Sequence, residues 1–212
     1  MGTELLVYGA GGFAREVAWL AEEAGYKVLA FVDDDLSRWG RVLNGIPVIS
    51  LEEAQAQHPG ALFTVAVGNP LTRKRLVEKV QERGFGFATL VHPQVSMSRF
   101  VEVGRGSVIT AGNILTVNVR LGQHVHVNLD CTIGHDAVLE DYATLAPGVH
   151  VSGWVFIKEG AYIGTGAVII NGTEDKPLEI GAYAVVGAGA VVTKDVPPGV
   201  TVVGVPAKPL SK

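Results

Sequence analysis

Residues 121–145 read LGQHVHVNLDCTIGHDAVLEDYATL, and every sixth position of this stretch is a branched aliphatic residue. The same rhythm begins at Val103, runs to Ile169 and resumes after one interruption. The aliphatic positions are Val103, Ile109, Leu115, Leu121, Val127, Ile133, Leu139, Leu145, Val151, Ile157, Ile163, Ile169, Ile180, Val186 and Val192. A period of six fits neither the 3.6-residue repeat of an α-helix nor the two-residue alternation of a half-exposed strand.

Small residues and glycines accompany the aliphatic positions. Two residues before them stand Ser107, Asn113, Cys131, Ala137, Ala143, Ala161, Ala167, Ala184 and Ala190, and a glycine often follows one residue after. If each hexad is a short strand and a bend, three hexads close a triangular coil with the aliphatic side chain inside. Small residues fit near the corners, and glycine relieves the bends. The pattern therefore predicts a parallel β-helix, whereas a β-sandwich would show strands of variable spacing.

The first ninety residues follow a different pattern, in which short apolar strands alternate with helical segments. We predict strands over residues 4–8, 28–32, 47–49, 62–67 and near 89, and helices over residues 13–24, 52–57 and from about 70 to 83. This alternation is typical of a parallel sheet covered by helices. Because Val91-His92-Pro93 favours an extended junction, we expect an α/β Rossmann-like domain over residues 1–92 and an all-β domain over residues 93–212.

A glycine-rich turn, Gly9-Ala10-Gly11-Gly12, follows the first predicted strand. Glycines let backbone amides approach a phosphate, and the helix N-terminus adds favourable partial charge. Asp33 stands about twenty residues further on, where a ribose-binding acid is found in dinucleotide sites. A tight turn without a ligand remains an alternative. A nicotinamide dinucleotide is less favoured, because the predicted domain has no room for a second half of such a fold.

Composition excludes several classes of partner. The formal net charge of −4 gives no electrostatic reason to expect binding to nucleic acid or to an anionic membrane. No apolar stretch of about 18 residues is present, so we expect a cytoplasmic protein that does not span a membrane. Cys131 is the only cysteine and is expected to serve packing.

Polar residues that could act in catalysis or in binding are concentrated in the middle coils. Between Leu121 and Val151 the outward positions are His124, His126, Asn128, His135, Asp136 and His150. Imidazoles and carboxylates can hold zinc, but no ligand spacing repeats here, and we expect no metal. His135 should project from a corner, where a nearby carboxylate would stabilise its imidazolium and make it a stronger base. A solvated corner histidine without a function remains open from spacing alone.

Six segments together resemble one family. They are YGAGGFAREV, FVDDD, AVGNPLTRKRL, the HP junction, CTIGHD and PPGVTVVGVPAKPL. These segments are similar to those of the hexapeptide-repeat sugar acetyltransferases of the sialic-acid O-acetyltransferase and bacillosamine or perosamine N-acetyltransferase type. The resemblance covers nearly the whole chain and implies a left-handed coil, acetyl-CoA as co-substrate and a homotrimer.

The resemblance also implies roles for single residues. His135 matches the catalytic base and Asp136 the acid beside it. The positions that match nucleotide-sugar contacts are Gly11, Gly12, Phe13, Asp33, Asp34, Gly68, Asn69 and Asn128. The positions that match acetyl-CoA contacts are Thr144, Thr165, Ala188, Lys208 and Gly153, whose backbone amide would receive the developing oxyanion.

The resemblance implies acetyl transfer from acetyl-CoA to the amino group of a nucleotide-linked amino-deoxysugar of the 4-amino-4,6-dideoxyhexose type. No nucleophilic serine or cysteine is needed, because the acceptor itself attacks the thioester. O-acetylation of sialic acid or a similar sugar is the alternative within the same class. A non-catalytic nucleotide-sugar-binding protein is the alternative from another class.

Overall fold

The structure is a computed structural model that describes residues 2–210. The chain divides after Pro93 into two compact units. Among the residues described, no helix combines the length and the apolar character that crossing a bilayer requires.

The first unit is a five-stranded sheet with three α-helices. Its strands are β1 (Glu4–Tyr8), β2 (Lys27–Val32), β3 (Val42–Leu43), β4 (Ile46–Ile49) and β5 (Leu62–Val65). Its helices are α1 (Gly12–Glu23), α2 (Leu51–Gln57) and α3 (Pro70–Glu82). The strand order is β3-β4-β2-β1-β5, with parallel pairing except between β3 and β4. The carboxyl ends of β1, β2 and β5 therefore meet at one edge, from which the predicted ligand-binding turns emerge.

Local sequence explains most of these elements. The interior strand β1 is buried from Leu5 to Tyr8, as expected for a strand covered on both faces. Ser50 and Glu53 form a capping box at the start of α2. The β3–β4 hairpin was not predicted, although its Asn44-Gly45 turn, with φ of 50° and 82°, is typical of a tight hairpin. A two-residue strand is too short to show a hydrophobic period.

The second unit is a triangular coil of very short parallel strands. The chain enters it after β6 (Leu90–Val91). The first face holds β7 (Ser96–Met97), β10 (Ile114–Leu115), β13 (Thr132–Ile133), β16 (His150–Val151), β19 (Val168–Ile169) and β22 (Val191–Val192). The second face holds β8 (Glu102–Val103), β11 (Arg120–Leu121), β14 (Val138–Leu139), β17 (Val155–Ile157) and β20 (Leu178–Ile180). The third face holds β9 (Val108–Ile109), β12 (His126–Val127), β15 (Thr144–Leu145), β18 (Tyr162–Ile163), β21 (Val185–Val186), β23 (Thr201–Val203) and the antiparallel β24 (Lys208–Pro209).

The register explains the six-residue rhythm. Ile133 pairs with Leu115 below and Val151 above, so each coil uses eighteen residues, or three hexads. Every aliphatic position of the repeat ends a strand, and all but Val103 are buried. Burial of one such side chain is worth about 1.5–3 kcal/mol. The α/β domain followed by a left-handed parallel β-helix is therefore confirmed as the fold class.

The interruption of the rhythm is an external loop over residues 171–177. It lengthens one coil, since Val168 pairs with Val191 instead of a residue eighteen positions later. Thr173 and Lys176 close the loop through two backbone hydrogen bonds. The core ladder continues undisturbed at Ile180, because the extra residues lie outside the coil.

Candidate active site

His135 and Asp136 form a hydrogen-bonded pair at the corner that follows β13. The imidazole Nδ1 lies 2.9 Å from the Asp136 carboxylate Oδ2. Because an ionised carboxylate only accepts hydrogen bonds, Nδ1 must carry the proton, and the lone pair resides on Nε2. The His135 side chain is 55% exposed, so Nε2 is open to a substrate.

Asn118 holds the second oxygen of the Asp136 carboxylate. Its amide Nδ2 donates to Oδ1 at 3.0 Å from one coil below. The two residues occupy equivalent corner positions, with φ of 56° for each, a backbone conformation that asparagine and aspartate tolerate better than most residues. The hydrogen bonds from His135 and Asn118 hold the pKa of the Asp136 carboxyl below its usual range. The carboxylate is thus ionised and fixed beside the imidazole.

Gly153 lies directly against the His135 ring, one coil above. A Cβ atom placed on Gly153 would stand 2.5 Å from both Cε1 and Nε2 of the ring, so only glycine leaves room for this imidazole. Among residues 2–210, the Gly153 amide has no hydrogen-bond acceptor, while its carbonyl accepts from Gly172 at 3.1 Å. A base and an unused backbone donor therefore stand side by side.

An open cleft of about 490 Å³ adjoins this pair on the second face of the coil. Trp154 forms one wall, with its ring edge-on to His135 at a centroid distance of 6.5 Å. We call this open cleft the second-face cleft. Its lining residues are Arg99, Phe100, Glu102, Asn118, Arg120, Asp136, Val138, Trp154 and Phe156. The cleft gives the paired His135 a neighbouring space large enough for a sugar.

The other residues predicted in the coil occupy three kinds of environment. Asn128 is half-buried and donates to the Leu145 carbonyl at 2.6 Å. Thr165, Ala188 and Lys208 are exposed. The Thr144 side chain is only 1% exposed, and the acetyl-CoA contact expected at this position stays a prediction.

Two of the histidines expected on the outside are buried. His124 is 2% exposed, because its ring stacks on Tyr142 at 5.4 Å and packs against Gly106 in the corner below. His126 is 1% exposed. His150 remains exposed and lies 2.8 Å from the Thr132 hydroxyl through Nδ1. Among the residues described, no group of three or more histidine, cysteine or acidic side chains is arranged to hold a metal ion.

In the first unit, the glycine turn is tied to the end of β2. The Ala10 amide donates to the Asp33 carboxylate at 2.9 Å, and the same carboxylate accepts from the Asp35 amide. Gly9 has a φ of 110°, and a Cβ there would crowd the Ala66 carbonyl at 3.1 Å, so glycine is required. Gly11 caps α1 without a side-chain hydrogen bond, and its surroundings are open. The Gly11 N-cap therefore places no side chain at the start of α1, as a phosphate site would need.

Asp34 differs from Asp33 in its partners. Tyr8 and Lys79 both donate to its Oδ1 at 2.7 Å. Partial burial alone would raise the pKa of the Asp34 carboxyl, but these two hydrogen bonds lower it below its usual value. Burial, followed by the bond to Asp34, raises the pKa of the Tyr8 phenol. The Asp34 carboxylate is thus ionised and partly exposed at the sheet edge. Phe13, in the first turn of α1, is half-buried.

A buried arginine, which the sequence analysis did not predict, supports the predicted Gly68-Asn69 turn through hydrogen bonds. Asn69 caps α3 by accepting from the Thr72 amide at 2.9 Å. Arg73 is fully buried and donates to the carbonyls of Val67 at 3.0 Å and Gly68 at 3.2 Å. Arg73 was missed because a helical pattern of charged residues gives no signal for a buried partner.

Known proteins resemble this chain along nearly all of its length. Residues 4–80 match the PglD N-terminal domain family. GDP-perosamine N-acetyltransferase from Escherichia coli O157:H7 is 37% identical over 97% of this chain and 96% of its own length. WeeI from Acinetobacter baumannii AYE has 40% identity and a TM-score of 0.92, covering 98% of this chain and 100% of its own.

A third relative carries bound ligands. It is a mutant perosamine N-acetyltransferase from Caulobacter crescentus in complex with CoA and GDP-perosamine. It is 31% identical, with a TM-score of 0.91, and the match covers 99% of this chain and 97% of that one. Together with the coil and its His135 corner, these similarities show that the chain is an acyltransferase and belongs to the family of sugar acetyltransferases that includes GDP-perosamine N-acetyltransferase.

Proposed function

We propose that this protein transfers the acetyl group of acetyl-CoA to the amino group of a nucleotide-linked 4-amino-4,6-dideoxyhexose. The observation that carries the proposal is the corner at which the free Nε2 of His135 and the unused amide of Gly153 stand together. Two of the relatives described above are named N-acetyltransferases, and one of these two is a complex with CoA and GDP-perosamine.

His135 is the general base of the proposed reaction. The acceptor nitrogen attacks the thioester carbonyl, and Nε2 takes a proton from that nitrogen. The Gly153 amide donates to the oxyanion that forms. When the intermediate collapses, the carbon–sulfur bond breaks and the CoA thiolate leaves, finally taking the proton from His135. Asp136 stabilises the transient imidazolium through the 2.9 Å hydrogen bond.

The two units supply different binding surfaces. We assign the nucleotide of the acceptor to the Gly11-Gly12-Phe13 turn and to the ends of β2 and β5, at Asp33, Asp34, Gly68 and Asn69. Support comes from Gly11, which caps α1 without a side-chain hydrogen bond and has open space around it. We assign acetyl-CoA to the exposed Thr165, Ala188 and Lys208 together with the Gly153 amide, and a sugar contact to Asn128.

We further propose that the protein is a cytoplasmic homotrimer. The first face and its corner expose Ile114 at 46% and Val117 at 43%, and a subunit interface would cover such apolar side chains. Light scattering after size-exclusion chromatography tests the assembly, and a monomer at micromolar concentration would contradict it.

The proposed activity is tested by measuring thiol release from acetyl-CoA against a panel of acceptors. The panel contains 4-aminohexoses linked to uridine, guanosine or thymidine diphosphate, and free sialic acid. We expect release with one or more aminosugar nucleotides and an N-acetylated product. Release with sialic acid alone would establish O-acetylation instead, and binding of the nucleotide sugars without any release would favour the non-catalytic alternative.

A further inference from the structure

The corner that carries His135 and Asp136 is tied to the coil below it at two points. The Asp136 amide donates to the Val117 carbonyl at 3.1 Å, which anchors the backbone of the corner. The Asn118 amide Nδ2 donates to Oδ1 of the Asp136 carboxylate at 3.0 Å, which anchors the side chain. Val117 and Asn118 therefore support the catalytic pair through both its main chain and its carboxylate.

The bond from Asn118 acts on the torsion angle of Asp136 that the backbone leaves open. A terminal carboxylate rotates broadly about χ2. The 2.9 Å contact between Oδ2 and Nδ1 of His135 gives this rotation one point of attachment. The Asn118 donor at Oδ1 gives it a second, so the plane of the carboxylate is set relative to the imidazole.

The carboxamide of Asn118 fits this contact in one orientation. An ionised carboxylate accepts hydrogen bonds and does not donate them, so the NH2 group of Asn118, and not its carbonyl oxygen, faces Asp136. Aspartate at position 118 would keep the size of the side chain and tolerate the same left-handed backbone, but it would lose the donor. The two functions of position 118, to turn the corner and to donate, can thus be separated.

A fixed carboxylate controls which nitrogen of His135 carries the proton. The His135 side chain is 55% exposed, so water competes for both ring nitrogens. If the carboxylate turned away, the neutral imidazole could move its proton from Nδ1 to Nε2, and Nε2 could then no longer accept one. Restraint of Asp136 therefore bears directly on the ability of His135 to act as a base.

We propose that Asn118 is a positioning residue of the acetyl transfer, which acts through Asp136 to keep the lone pair of His135 on Nε2. This inference rests on the proposed function, because it concerns the base of that reaction. Asn118 also lines the second-face cleft, so a direct contact with the sugar is the competing role. A corner residue that only stabilises the coil is the other.

Steady-state thiol release separates these roles. We expect kcat to fall about tenfold or more in both Asn118→Asp and Asn118→Gly, because each loses a hydrogen bond to a charged group. Both KM values should stay within about twofold of wild type, since neither substrate loses a contact. In an Asp136→Ala background, Asn118→Gly should cause no further loss, because the two residues act as one unit. Asn44→Gly, at a left-handed position of the first unit, is the matched control.

Nitrogen NMR of protein with isotope-labelled histidine gives a readout that needs no substrate. The His135 signals are identified by their absence from His135→Gln. At about pH 9, where an ordinary histidine is neutral, wild type should show a protonated Nδ1 and an unprotonated Nε2. Asn118→Asp and Asn118→Gly should show signals averaged between the two tautomers.

Three kinetic results would overturn the inference. The first is a wild-type kcat in Asn118→Gly. The second is a raised KM for the acceptor with kcat retained, which would make Asn118 a sugar contact. The third is an equal loss from Asn118→Gly in the presence and absence of the Asp136 carboxylate. If wild type acetylates none of the acceptors, the proposed function fails, and the NMR comparison still decides the role of Asn118, because the same tautomer in wild type and Asn118→Gly would refute it.

Discussion

Replacing Gly153 by alanine is expected to displace the catalytic imidazole without disturbing the coil. The φ angle of Gly153 lies outside the left-handed region, so alanine meets no backbone strain. The new methyl group would point at the ring of His135. The change therefore isolates one steric contact between neighbouring coils.

The magnitude follows from the distances. The added Cβ would stand 2.5 Å from Cε1 and Nε2, whereas ordinary contact begins at 3.4 Å, so the ring must retreat by about 1 Å. A displacement of that size costs on the order of a hundredfold in rate when it misaligns a reacting group. It also stretches the 2.9 Å bond to Asp136. Because the ring is half-exposed and can swing towards solvent, we expect the free energy of unfolding to change by less than about 1 kcal/mol.

Steady-state thiol release measures the effect. We expect kcat to fall about a hundredfold, with KM values close to those of wild type, since neither substrate loses a contact. Gly60→Ala is the control, because Gly60 has open space around it and no left-handed φ. A Gly153→Ala enzyme with the kcat of wild type would refute the assignment of this corner as the catalytic centre.

Three further changes test other parts of the account. Asn118→Gly keeps the left-handed corner but removes the hydrogen-bond donor to Asp136, so the pKa of the Asp136 carboxyl should rise. The gain in free energy of unfolding between about pH 2 and pH 5 should therefore be smaller than in wild type. Denaturation at a series of pH values measures this difference. Asn44→Gly, at another left-handed position, should leave this dependence of stability on pH unchanged. Arg73→Met should raise the KM for the acceptor, because the carbonyls of Val67 and Gly68 lose their hydrogen-bond donor. For the same reason the free energy of unfolding should fall by about 1–3 kcal/mol. An unchanged KM would argue against a binding role for the loop that contains these carbonyls. Ile163→Ala should cost about 2–5 kcal/mol in urea denaturation, and a loss below about 1 kcal/mol would contradict the tightly stacked core.

The repeat could be predicted because the same packing requirement recurs in every coil. A residue such as Ile133 must be aliphatic, since it stacks between Leu115 and Val151 inside the triangle. The corner residues obey no comparable rule. His124 and His135 were expected on the outside alike, yet only His135 is exposed, because Tyr142 covers the ring of His124.

The site was harder to predict than the fold because its partners come from different coils. The neighbours His135 and Asp136 are visible in the sequence, but Asn118 and Gly153 are each eighteen residues from one member of that pair. The same holds in the first unit, where Lys79 reaches Asp34 across 45 positions. Such contacts depend on the register of the folded chain, which no local pattern reveals.

The central claim is that His135 is the base of an acetyl transfer, and the most direct measurement compares thiol release by wild type and His135→Gln with the best aminosugar nucleotide of the panel. We predict a loss of about a hundred- to ten-thousandfold in kcat for His135→Gln, with CoA binding and thermal stability retained. A kcat within a few fold of wild type would contradict the account, because it would leave the proton of the attacking amine to some other group.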